Sequence, residues 1–122
     1  MKRSILCAAA LATAAGLPAA AVAHVGGAAA KTYKLPATNF KFGAKKNNVI
    51  KAKVGDKLTF TWKQGVHNVL STKSPAGFKK VNTGRPTPKH APLTVTLSKK
   101  GAYQFICAPH VTLGMKVTVN VS

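Results

Sequence analysis

Three stretches of this chain alternate strictly between apolar and polar residues. Leu58, Phe60 and Trp62 alternate with Thr59, Thr61 and Lys63. Leu93, Val95 and Leu97 alternate with Thr94, Thr96 and Ser98, and Val117, Val119 and Val121 with Thr118, Asn120 and Ser122. Successive side chains of a strand point to opposite faces, so a period of two makes each stretch a strand with one face in the core and one in water. Weaker strand patterns cover Thr32–Leu35, Asn39–Phe42, Val49–Val54, Val66–Ser71 and Ala102–Cys107. Turn residues punctuate them at Gly43, Val54-Gly55-Asp56, Gly65, Ser74-Pro75, Gly84 to Pro92 and Lys99-Lys100-Gly101. No stretch beyond the N-terminal region has a helical period. The expectation is an all-β fold, a Greek-key β-sandwich of seven to eight antiparallel strands. Gly84–Pro92 is the expected exposed loop, because its three prolines cannot donate to a ladder.

The first residues read as an address. Met1-Lys2-Arg3 is a positive n-region, Ser4 to Val22 is uncharged and Ala/Leu-rich, and Ala21-Val22-Ala23 is a small-x-small cleavage site. Residues 1–23 are expected to be a signal peptide, 24–31 a short flexible lead and 32–122 the folded domain. Cleavage after Ala30 is the alternative. A membrane anchor is disfavoured because the stretch is mostly Ala and is interrupted by Gly16 and Pro18. A lipoprotein is disfavoured because Cys7 precedes most of the apolar stretch. The protein is therefore expected to be exported, to a periplasm or to the extracellular or cell-surface space. Removing residues 1–23 takes Cys7 with it and leaves Cys107 alone. An odd thiol in an oxidising compartment calls for a role.

Charge excludes several chemistries. Nineteen Lys and Arg stand against one acid, Asp56, for a formal charge of +18. Catalysis by paired side-chain carboxylates needs a second acid, and a Ca²⁺ or Mg²⁺ cage needs several oxygen ligands. Cleavage after Ala23 removes Lys2 and Arg3 and lowers the charge to +16. Lysines recur along the whole chain, so the field suits acidic redox partners or anionic envelope surfaces. No nucleic-acid reading motif is present, and no specific nucleic acid is expected.

Chemistry concentrates near the C-terminus, in Cys107-Ala108-Pro109-His110-Val111-Thr112-Leu113-Gly114-Met115. One loop between two strands offers a thiolate, an imidazole and a thioether. Gly65-Val66-His67-Asn68-Val69 adds a second imidazole. Two His, one Cys and a weak axial Met form the ligand set of a blue-copper site. Structural zinc normally has four good ligands and no thioether. A Cys–His nucleophile pair would leave His67 and Met115 without a role.

These residues resemble the cupredoxin family, with plastocyanin and pseudoazurin the most similar subgroup. The resemblance covers nearly all of Tyr33–Ser122. It rests on Val54-Gly55-Asp56 before Leu58–Trp62, on His67-Asn68-Val69, on Gly101-Ala102-Tyr103-Gln104-Phe105-Ile106-Cys107, and on the Cys-x-x-His-x-x-x-x-Met spacing. The resemblance implies one copper ion held by His67, Cys107, His110 and Met115. It implies that Asn68 bonds the thiolate through its backbone and ties the two ligand loops through its side chain. Pro109 would remove one N–H donor near the sulfur. Ile106 stands where plastocyanins have a tyrosine used as a remote electron port, and acidic surface patches cannot exist here. The remaining route is His110, in an apolar patch of Pro109, Val111, Leu113 and Leu35-Pro36. The implied function is a monomeric one-electron carrier rather than an enzyme. A copper-handling protein of the cell envelope is the alternative, and a degenerate binding module a weaker one. His90 is expected to be solvent-exposed, and His24 would be a first residue able to chelate copper.

Overall fold

The computed structural model describes residues 29–122. The expected signal peptide, Cys7 and His24 lie outside the described residues. Eight strands form: β1 (Thr32–Thr38), β2 (Lys41–Phe42), β3 (Asn48–Ala52), β4 (Lys57–Trp62), β5 (Leu70–Lys73), β6 (Leu93–Thr96), β7 (Gly101–Ile106) and β8 (Lys116–Val121). They build two four-stranded sheets, in the orders β2-β1-β4-β6 and β3-β8-β7-β5. Among the described residues no helix is long and apolar enough to cross a membrane.

The sandwich expected from the alternation is present, with a difference in strand direction. The pairs β1/β4 and β3/β8 run parallel. The chain leaves β1 and β2, crosses to the other sheet as β3, and returns as β4 beside β1. Period-two patterning reports which face is buried and carries no information on the neighbour's direction.

Alternation fills the core. Leu58 and Phe60 on β4, Tyr103 and Phe105 on β7, and Val117 and Val119 on β8 are all fully buried. Phe60 sits edge-on to Phe42 at 5.3 Å and to Phe105 at 5.5 Å between ring centroids. Such edge-to-face contacts add to the ~2 kcal/mol gained by burying each ring. Tyr103 hides its hydroxyl without loss, since it donates to Lys99 O at 2.8 Å and accepts from Lys99 N–H at 3.1 Å.

Three local expectations are corrected. The Val66–Ser71 pattern becomes a strand only from Leu70, because His67 instead makes an isolated bridge with Thr87. Asn39–Phe42 shrinks to two strand residues, because Phe40 has φ 62° and turns the chain. Leu35 is only 2 % exposed and belongs to the core, so it cannot share a surface patch with Leu113. Its neighbour Pro36 lies on the outer face of the first sheet, where strand alternation puts it.

Asp56, the one acid, acts as a staple. Its carboxylate accepts the backbone N–H of Lys31 and of Lys53, each at 2.9 Å. Its backbone carbonyl accepts Leu97 N–H at 2.8 Å. One residue thus fastens the start of β1, the β3–β4 turn and the end of β6. The two N–H donors hold its carboxyl below the ordinary aspartate range, with the Lys31 and Lys53 charges helping. A depressed folded value means that this stability is present at neutral pH and is lost as pH falls from about 4 through the folded value. Melting temperature should therefore drop below about pH 4, and Asp56→Asn should lower it at neutral pH and flatten the acid limb. An acid limb as steep in Asp56→Asn as in the parent would remove this role from Asp56.

Candidate metal centre

His67 is clamped before its ring does anything. Its N–H donates to Thr87 O at 3.0 Å and its carbonyl accepts Thr87 N–H at 2.9 Å. The same carbonyl accepts the Trp62 indole N–H at 2.9 Å. The ring is turned so that Nε2 meets Gln64 O at 2.5 Å. A carbonyl can only accept, so Nε2 carries the proton and Nδ1 presents a lone pair. That lone pair faces Cys107 Sγ at 3.7 Å. Gly65 makes room for the arrangement: at φ 87°, a Cβ there would stand 3.0 Å from His67 Nε2.

Cys107 follows β7 directly and is fully buried, a free thiol. The segment after it, expected as a plain loop, coils into a 3-10 helix over Ala108–Leu113, with Pro109 in its first turn. Six residues with poor apolar periodicity and a proline give no helical signal in sequence, yet a tight turn needs none. The coil brings His110 back over the sulfur, with Nδ1 at 3.5 Å from Cys107 Sγ. Gly114 closes it at φ 94°, where a Cβ would stand 3.0 Å from Lys46 Cβ. Asn47 N–H donates to Gly114 O at 2.8 Å and pins the coil to the β2–β3 loop. Cys107 N–H donates to Met115 O at 3.1 Å, and the Met115 side chain is fully buried.

Donor atoms of His67, Cys107 and His110 therefore lie within 4.8 Å of one another. Burial pushes the His67 imidazole below its usual value, and the nearby His110 adds to this. Burial pushes the Cys107 thiol up, while hydrogen bonds from the Asn68 and His110 backbone pull it back. The pocket thus offers neutral imidazole and a sulfur whose ionisation is favoured by an arriving cation. Two imidazoles and one sulfur, with a buried thioether next along the chain and Asp56 engaged with Lys31 and Lys53, suit a soft or borderline metal such as copper.

Asn68 ties the parts together. Its Oδ1 accepts Ala108 N–H at 2.9 Å, joining the His67 segment to the Cys107 coil. Its Nδ2 donates to Gly84 O at 2.9 Å and holds the proline-rich loop as well. That loop is largely exposed, but Thr87 is half-buried through its bridge to His67. His90 is exposed, outside the cluster, and stacked on Trp62 at 4.4 Å.

Three contributors were not visible as such in sequence. Phe40 meets the His110 ring edge-on at 5.0 Å while holding a left-handed backbone that a bulky side chain rarely adopts. Trp62 reads as a core residue by its place in β4 but also fixes His67 through its indole N–H. Thr87 sits twenty residues beyond His67 in a loop with no pattern of its own.

The comparisons agree with this geometry. Residues 30–122 match the family described as copper binding proteins, plastocyanin/azurin family. Over 76 residues the chain is 42% identical to a plastocyanin of Solanum crispum, covering 54% of this chain and 77% of that one. A chloroplastic plastocyanin of Silene latifolia is also 42% identical over 76 residues, but the match spans only about half, 46%, of its length. Among solved structures, a pseudoazurin from Sinorhizobium superposes with a TM-score of 0.59 at 32% identity, covering 75% of this chain and 74% of that one. With copper the shared ligand of this family, and with the fold and donor set above, the chain belongs to the plastocyanin/azurin family of copper-binding proteins.

Proposed function

We propose that this protein is an exported, monomeric one-electron carrier that holds one copper ion on His67, Cys107 and His110, with Met115 as a weak fourth ligand. The observation that supports it most is the convergence of the three donor atoms on a backbone already fixed by hydrogen bonds. Bound copper supplies a Cu(I)/Cu(II) couple. The chain's part is to keep the donors where they are in both states. Thr87 and Trp62 hold the His67 backbone, Gln64 sets its tautomer, and Asn68 locks the two ligand segments together. A copper-handling role would not need that rigidity.

Electrons would pass at His110. It is half-buried, and Pro109, Val111 and Leu113 surround it on the 3-10 helix, with Leu113 47 % and Val66 46 % exposed. Ile106 provides no polar aromatic port on the flank of β7. Seventeen cationic side chains lie between Lys31 and Lys116, with one acid among them. That field should draw acidic redox proteins toward the patch.

Stopped-flow electron transfer with one acidic and one basic redox protein tests this. The acidic partner should react faster at low salt and slow steeply as the screening length falls from about 30 Å at 0.01 M to about 8 Å at 0.15 M. Leu113→Glu should impair transfer at every ionic strength, because it changes close docking rather than approach. A salt-independent rate with both partners, or a faster basic partner, would overturn the steering account.

A further inference from the structure

The two sheets differ sharply on their outer faces. On the β3-β8-β7-β5 sheet the outward side is mixed, with Val49 56 % exposed and Ile106 and Leu70 side by side. On the β2-β1-β4-β6 sheet the outward residues of β1, β4 and β6 are threonine and lysine, apart from Pro36. The register stacks them in rows across the strands. Thr32, Lys57 and Thr96 form one row, and Lys34, Thr59 and Thr94 the next. Pro36 and Thr61 begin a third, with exposed Lys63 just beyond. A shallow groove of about 340 Å³ runs over this lattice between Lys34 and Lys63.

We propose that this face docks on a bilayer surface bearing anionic phosphate headgroups. Ammonium and hydroxyl groups are both donors to phosphate oxygen, and here they alternate on a regular sheet with no acid among them. A protein partner would need a desolvated apolar or aromatic centre, which is where interface energy concentrates. This face offers only Pro36 and the methyls and methylenes of its threonines and lysines, whereas the Leu113 patch exposes whole apolar side chains. A headgroup layer is hydrated and laterally mobile, so it asks only for spread charge and hydrogen-bond donors. Docking by the sheet face would leave His110, on the coil that follows β7, free to meet a redox partner. The face holds no metal ligand, so the copper-free and copper-loaded forms should bind alike.

The test is co-sedimentation of the protein, with and without copper, on phosphatidylcholine vesicles and on equal mixtures of phosphatidylcholine and phosphatidylglycerol. Binding should require phosphatidylglycerol. Each lysine near such a surface is worth about fivefold in partitioning, so Lys34→Glu/Lys57→Glu/Lys63→Glu should lose about a hundredfold or more. Lys79→Glu/Lys80→Glu/Lys99→Glu changes net charge equally and should lose under about fivefold if the face is specific. Thr59→Val/Thr61→Val keeps both charge and strand propensity and should still weaken binding severalfold. Equal losses in the two lysine triples, or an unaltered Thr59→Val/Thr61→Val protein, would show diffuse attraction and overturn the assignment. So would a face triple that keeps vesicle binding but loses capture by an acidic protein.

Discussion

Cys107→Ser should be colourless with copper where the parent is intensely coloured. Cys107 is the one thiol within the cluster, and both imidazoles point at its sulfur from 3.5 and 3.7 Å. A serine oxygen is smaller, harder and still protonated at neutral pH, so it supplies neither the soft donor nor the thiolate-to-copper absorption. Copper affinity should fall by more than the roughly 10–100-fold typical of losing an outer hydrogen-bond partner. The fold should survive, because a buried free cysteine behaves as a small apolar residue and serine nearly fills its volume. Met115→Leu is the contrasting case. It preserves buried volume and removes only the weak thioether, so colour should remain while the potential shifts. A Cys107→Ser protein with the parent's visible spectrum would remove the sulfur from the metal centre.

Asn68→Ala should cost about 1–3 kcal/mol of stability, because two hydrogen bonds from its side chain to the backbone are lost at once. Ala108 N–H and Gly84 O each bond the Asn68 side chain at 2.9 Å, and Asn68 itself is buried. Both the Cys107 coil and the proline-rich loop would be released. The effect should be visible in thermal melts of the copper-free and the copper-loaded protein alike, with a shifted potential in the latter. Unchanged melts in both forms would show that the two loops are held by other contacts.

Sequence carried the fold because alternation at Leu58–Lys63, Leu93–Ser98 and Val117–Ser122 is a direct image of a two-faced sheet. It pointed to the candidate site because Cys107, His110 and Met115 fall within one nine-residue segment, with His67 beside an asparagine. It did not carry strand direction, since β1/β4 and β3/β8 are long-range pairings with no local trace. Nor could it show that Thr87 clamps His67 or that Phe40 packs on His110, because both contacts are made only when distant loops meet. The coil over Ala108–Leu113 was hidden for another reason. It is ordered by its ends, through Gly114 and the Asn47 N–H, rather than by any helical period of its own.

Copper titration of the purified protein, followed by its visible spectrum through a cycle of reduction and reoxidation, tests the central claim most directly. The account predicts saturation at one copper per chain, an intense band in the oxidised state, and loss and full return of that band with one electron per copper. Copper that bound without the band, that saturated at more than one per chain, or whose band failed to return on reoxidation would contradict it.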